Sequence, residues 1–90
     1  MPLFPAGQVV VNSGALRLLE AAGPSPADLL RRHLNGNWGV VNEDDRHAND
    51  LAIRRGSRIF SAYRLKDGTK VCVITEADRS ATTVLLPDEY

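Results

Sequence analysis

Arg58-Ile59-Phe60-Ser61-Ala62-Tyr63-Arg64-Leu65-Lys66-Asp67-Gly68-Thr69-Lys70-Val71-Cys72-Val73-Ile74-Thr75 decides the fold of this 90-residue chain. Ile59, Ser61, Tyr63 and Leu65 alternate with Arg58, Phe60, Ala62 and Arg64. That is the period of a strand with two different faces. Lys66-Asp67-Gly68 reads as a hairpin turn, with Gly68 supplying positive φ. Thr69–Thr75 is then the returning strand, Val71, Val73 and Thr75 alternating with Cys72 and Ile74. Toward the C-terminus, Glu76–Ser80 turns the chain again and Ala81–Leu86 makes a third antiparallel strand, stopped by Pro87. In this reading Thr75 and Thr83 share the inward parity, while Glu76, Asp78 and Arg79 sit at the turn.

Working back from Arg58, the pattern changes to helical. Asn42 or Glu43 caps a helix over about Glu43–Arg55, with acids in its first turn, Arg54-Arg55 in its last and Gly56 closing it. Before it, Ser25 is the N-cap and Pro26 the first residue of a helix carrying Leu29, Leu30, His33 and Leu34, broken by Asn35-Gly36-Asn37. A first helix runs from about Gly14 to Ala22, capped by Ser13, with Leu16 and Leu19 inward and Ala15 and Ala22 as further inward candidates. Gly23 serves as its left-handed cap before Pro24. Val9-Val10-Val11 reads as a short strand able to join one edge of the sheet. Residues 1–7 are a flexible arm, because two prolines in five residues prevent regular pairing. The expectation is one α+β domain, with two to three N-terminal helices on one face of a small antiparallel sheet of three to four strands. It divides into the arm, strand plus helices over 8–56, and a β-meander over 57–90.

Eleven Lys and Arg balance eleven Asp and Glu, so no net field steers the chain toward nucleic acid or membrane. The charge is unevenly placed. Arg46 to Lys70 holds seven bases against two acids, with Phe60 and Tyr63 interleaved. Such a segment can contact phosphates, although the two rings fall on opposite faces. Cys72 is the single cysteine, which excludes an internal disulfide and fits a reducing cytoplasm. One Cys and two His match no zinc spacing, no nucleotide or cofactor motif is present, and neither a secretory signal nor an apolar run of membrane length is read.

Leu29-Leu30-Arg31-Arg32-His33-Leu34-Asn35-Gly36-Asn37-Trp38-Gly39, Asn49, Arg58-Ile59-Phe60-Ser61-Ala62-Tyr63 and Ile74-Thr75-Glu76-Ala77-Asp78-Arg79-Ser80 through Tyr90 resemble a family of small proteins scattered through bacterial plasmids and integrative elements. The resemblance spans about two thirds of the chain. It implies a mobile-element accessory protein and names no chemistry. Asn37 stands where the family pattern has Asp, and Cys72 where it has an aromatic such as Trp. A fold-level likeness, helices before a small antiparallel sheet, also links the chain to the RelE/barnase/colicin-D class of metal-independent ribonucleases.

The polar knot Thr75–Thr83 carries more hydrogen-bonding side chains than a turn requires. Arg79 can hold a phosphate or carboxylate in bidentate fashion, and Glu76 can serve as acid or base. Its structural alternative is an Asx-turn at Asp78 with Arg79 paired to Glu76. His33, one turn before a glycine break, is either a general base or a helix-end histidine bonded to a carbonyl. His47 reads as solvent-facing. For a nuclease, His33, Glu76, Arg79 and Ser61 would be catalytic. For a binding protein, Trp38, Arg58, Tyr63, Glu76, Asp78, Arg79 and Thr82 would form the surface. The favoured expectation is a non-enzymatic protein that binds a host or mobile-element protein and inhibits or modulates a defence or restriction system, with either Val9–Val11 or Ala81–Leu86 as a sheet edge open to a second copy. The ribonuclease or toxin is the alternative.

Overall fold

The computed structural model describes residues 1–90. β1 (Gln8–Val11) is followed by α1 (Ser13–Ala22), α2 (Pro26–Leu34) and α3 (Glu43–Arg55). Then come β2 (Ile59–Arg64), β3 (Lys70–Thr75), β4 (Ala81–Leu85) and a 3₁₀ turn, Pro87–Glu89. The fold is α+β, with three helices and a four-stranded sheet in the order β1-β4-β3-β2. β2, β3 and β4 form the expected antiparallel meander. β1 joins β4 in parallel, so the sheet is mixed rather than antiparallel throughout. The helical excursion between β1 and β2 is long enough to bring the chain back to the far edge in the same direction.

The period-two reading places the faces. Tyr63, Val71, Val73 and Val84 pack with Ala15 and Leu19 of α1 and Leu29 of α2 as the main core. Ala62, Cys72, Ile74 and Leu85 cluster on the opposite face, beside Phe60 and Val41. A third cluster, Phe4, Trp38, Ala52 and Ile59, fills the corner between the arm, α3 and the start of β2. No helix is long and apolar enough to cross a membrane.

Three local expectations are corrected. Asn12, not Ser13, is the N-cap of α1, and its side chain makes no capping bond. The Glu89 carboxylate takes that role from the far end of the sequence, accepting from the amides of Gly14 at 2.8 Å and Ala15 at 3.2 Å. Gly23 is extended (φ −113°, ψ 178°) rather than left-handed, because the chain leaves α1 directly toward Pro24. Leu16 is 39% exposed, since Ala15 and Leu19 occupy the buried stripe. The Ser25 and Asn42 caps and Gly56 in the left-handed region stand as read.

Residues 1–7 lack regular structure, as their prolines require, yet they are packed rather than loose. The Leu3 amide donates to the Leu34 carbonyl at 2.8 Å, and Phe4 is buried. Gly7 (φ +66°) lies where a Cβ would sit 2.4 Å from the Arg79 carbonyl oxygen.

Candidate functional site

Four polar side chains from four elements meet inside the fold. His33 on α2 lies 2.5 Å by Nδ1 from Ser61 Oγ on β2 and 2.9 Å by Nε2 from Thr75 Oγ1 on β3. Thr75 Oγ1 lies 2.8 Å from Thr82 Oγ1 on β4, and Thr82 donates to the Ala6 carbonyl at 2.7 Å. Sheet pairing explains the row. Ser61 shares a face with Ile59, Ile59 pairs with Thr75, and Thr75 pairs with Thr82. Thr82, not Thr83, therefore takes the inward parity opposite Thr75. His33 enters from above because Leu29 and His33 are one turn apart on the buried stripe of α2.

The far end of the row fixes every proton in it. A hydroxyl has one hydrogen. Thr82 gives its own to the Ala6 carbonyl, so it accepts from Thr75. Thr75 then accepts from His33 Nε2–H. A neutral imidazole with its proton on Nε2 accepts at Nδ1, and Ser61 is the donor there. Burial holds the imidazole neutral, lowering its pKa from 6.5 to about 4. Phe4 and Trp38 close edge-on around the ring, with centroids at 5.4 Å and 5.9 Å. His33, Ser61, Thr75 and Thr82 are each 0% exposed. The helix-end histidine is thus paired with two hydroxyls rather than with the carbonyl considered from sequence.

Arg79 is committed to backbone. Its Nη1 donates to the carbonyls of Ser57 (2.6 Å), Glu76 (3.2 Å) and Ala77 (3.3 Å), and its Nη2 to that of Ala52 (2.8 Å). It lies over the Phe4 ring, 5.5 Å from the centroid. The turn around it is held by the Ser80 amide donating to Asp78 Oδ1 at 3.0 Å, the Asx-turn read from sequence. Arg79 meets the Glu76 backbone; the Glu76–Arg79 side-chain ion pair is replaced by these carbonyl contacts. Hydrogen bonds from the Ser80 side chain and amide hold the Asp78 carboxyl below its usual range.

The other candidates divide by exposure. Trp38 is buried and donates from Nε1 to Asp50 Oδ1 at 3.1 Å. Tyr63 is buried and donates to the Asn37 carbonyl at 2.6 Å. Burial pushes its phenol up to about 12, with a partial offset from the Arg32 charge. Arg58, Glu76 and Asp78 are exposed, Arg58 lying over the Tyr90 ring at 5.1 Å, and His47 is exposed as expected. Two open concavities are present. One of about 400 Å³ is floored by Leu29, Tyr63 and Leu65, and one of about 360 Å³ lies beside Phe60 and Cys72. Neither is lined by His33 or Arg79. No three His, Cys, Asp or Glu side chains gather as metal ligands.

Of the two candidate open edges, Ala81–Leu86 lies inside the sheet between β1 and β3, and Val9–Val11 is an edge; the cover of the opposite edge was not read from the sequence. Along the outer edge of β2, the Asn49 side chain donates to the Phe60 carbonyl at 2.6 Å and accepts from the Phe60 amide at 3.1 Å. Two residues on, the Ala62 amide donates to the Trp38 carbonyl at 3.1 Å and the Ala62 carbonyl accepts from the Val40 amide at 2.7 Å. This edge is sealed by a side-chain amide and a passing segment. β1, at the other edge, has no such cover. Gln8 and Asn12 donate inward to Ser80 and Val84 at 2.9 Å each, so by strand alternation the amides and carbonyls of Val9 and Val11 face outward. Val9 is 46% and Val10 39% exposed. Asn49, among the residues that carry the resemblance, and the uncharged valine run were the visible signals. Compared with known proteins, the chain matches no family model, no curated protein and no solved structure.

Proposed function

We propose that this chain acts by binding another protein, as an accessory factor of a bacterial plasmid or mobile element that modulates a host defence or restriction system. The mobile-element part rests on the resemblance over Leu29–Tyr90. The binding part rests on one observation: β2 has its outer edge sealed, whereas β1 presents outward amides beside exposed Val9 and Val10. An uncharged edge of this kind accepts an added strand, main-chain bonds giving affinity and alternate side chains giving selectivity. The use made of the candidate catalytic groups supports the same reading. His33, Ser61 and Thr82 have no exposed surface, and Arg79 is spent on four carbonyls.

The metal-independent ribonuclease reading is favoured by one contact, Ser61 Oγ at 2.5 Å from His33 Nδ1. A phosphate would have to displace Phe4 to reach it. Affinity capture from a bacterial host, read by mass spectrometry, tests the proposal. A specific protein should be retained by the wild type and lost by Val9→Pro, a change that removes an amide not used within the fold. RNA cleavage by the purified protein, abolished by His33→Gln with the fold intact, is the result that would replace binding with catalysis.

A further inference from the structure

The outward groups of β1 are arranged to fit a copy of themselves. Gln8-Val9-Val10-Val11-Asn12 is near-palindromic, with a valine at its centre, a valine on each side and a carboxamide at each end. Val9 and Val11 carry the outward-facing amides and carbonyls. An antiparallel neighbour uses all of them in one register only, with Val9 of one copy opposite Val11 of the other. Val9 and Val11 then exchange both N–H···O=C bonds, and the reverse pair does the same. Val10 meets Val10 on the two-fold axis, where non-hydrogen-bonded residues bring their side chains closest. Gln8 falls opposite Asn12, amide against amide, and the Asn12 side chain makes no bond to the helix it caps. Shifting the register by two residues toward either end pairs Val9 or Val11 with itself. It also moves the other pair out of the strand, onto Gly7 or into α1.

Nothing on this edge opposes the pairing. The strand has no charge, proline or bulge of the kind that guards open edges, and the zero formal net charge of the chain gives no long-range repulsion between copies. The exposed Val9 and Val10 side chains lie on opposite faces of the strand, so the contact buries apolar surface on both sides. We infer that two copies associate through β1, Val9 opposite Val11, joining two four-stranded sheets into one. The inference deepens the protein-binding reading of this edge and rests on it. Strand pairing alone buries less than the roughly 1,600 Å² of a standard interface, so association is expected in the micromolar-to-millimolar range rather than tighter.

Sedimentation equilibrium over that range gives the first test. The mean mass of the wild type should rise from monomer toward twice that value, while Val10→Lys, which places two ammonium groups on the axis, and Val9→Pro stay monomeric with unchanged circular dichroism. Mixing Val10→Lys with Val10→Asp should restore a heterodimer that neither forms alone. Amide exchange of Val9 and Val11 in the unmodified protein should slow as concentration rises, a readout independent of any variant. A wild type that stays monomeric at millimolar concentration overturns the inference. So does a dimer unaffected by Val10→Lys and with concentration-independent exchange at Val9 and Val11. If the wild type is monomeric but a captured partner is lost with Val9→Pro, the self-pairing is wrong and the protein-binding reading stands.

Discussion

Arg79 holds a non-glycine residue in the left-handed region, at φ 61°. That conformation costs on the order of 1 kcal/mol, and the surroundings must supply it. They do so through the guanidinium, which ties the last turn of α3 at Ala52 to the Ser57 loop and the β3–β4 turn. Arg79→Ala should lose about 1 kcal/mol, because the Ala52, Ser57, Glu76 and Ala77 carbonyls lose a charged donor while the strained backbone remains. Arg79→Gly loses the same donor but relieves the strain. Urea unfolding should therefore rank wild type above Arg79→Gly and Arg79→Gly above Arg79→Ala. Equal loss in the two variants would show that φ at this position carries no strain. His33 makes a second prediction. Its folded pKa, about 4, lies below its ordinary 6.5, so the unfolded chain binds a proton more readily than the folded one. Its stabilising effect is complete above pH 6.5 and declines as pH falls from 6.5 toward 4, by about 3 kcal/mol in all. Unfolding free energies between pH 7.5 and pH 4.5 should follow that slope in the wild type and lose it in His33→Gln.

At the scale of elements, the outer edge of β2 depends on a close backbone approach. Gly39 has φ +76°, and a Cβ there would lie 2.0 Å from the Ala62 carbonyl oxygen. The isolated bridge between Gly39 and Ala62 forms only because that atom is missing. Gly39→Ala should cost at least about 2 kcal/mol by combining positive-φ strain with the clash. It should also expose the β2 edge, so faster amide exchange at Ala62 and concentration-dependent aggregation on heating are the expected signs. An unchanged Ala62 exchange rate would place the seal elsewhere. α1 makes a different prediction, because its first-turn amides are satisfied by Glu89 rather than by a local cap. Hydrogen bonds from the Leu86 amide and then from Gly14 and Ala15, with the nearby Arg17, depress the Glu89 carboxyl. The folded state favours the charged form, so this contribution is present above the ordinary carboxylate range and disappears as pH falls through the lowered value. Glu89→Ala should lower Tm at neutral pH, and the difference from wild type should shrink in acid.

At the scale of the whole molecule, the buried row Ser61–His33–Thr75–Thr82–Ala6 joins α2, three strands and the N-terminal arm. Each member satisfies the next, and no buried side-chain nitrogen or oxygen lacks a partner. A network of this kind stabilises one arrangement of its elements, because any single displacement strands polar groups in an apolar interior. Phe4 completes the enclosure and packs beneath Arg79, so arm, turn and helix share one corner. These groups are committed to the fold, whereas the outward amides of β1 are not.

The sequence by itself determined the elements and their faces. Strand alternation put Ser61 and Tyr63 on the same side, helix capping at Ser25 and Asn42 set the starts of α2 and α3, and Asp78 announced its own Asx-turn. These are local signals, carried by side-chain period and by hydrogen bonds within a few residues. Tertiary structure alone decided what the polar residues do. Ser61, Thr75 and Thr82 become neighbours through strand register, and His33 joins them only when α2 lands on the sheet. Glu89 reaches α1 across nearly the full sequence, and Asn49 covers an edge eleven residues away. A short parallel strand was legible as Val9–Val11, but its direction followed from where the helices returned the chain. Partners distant in sequence are selected by packing of the whole chain, and no local pattern records that choice.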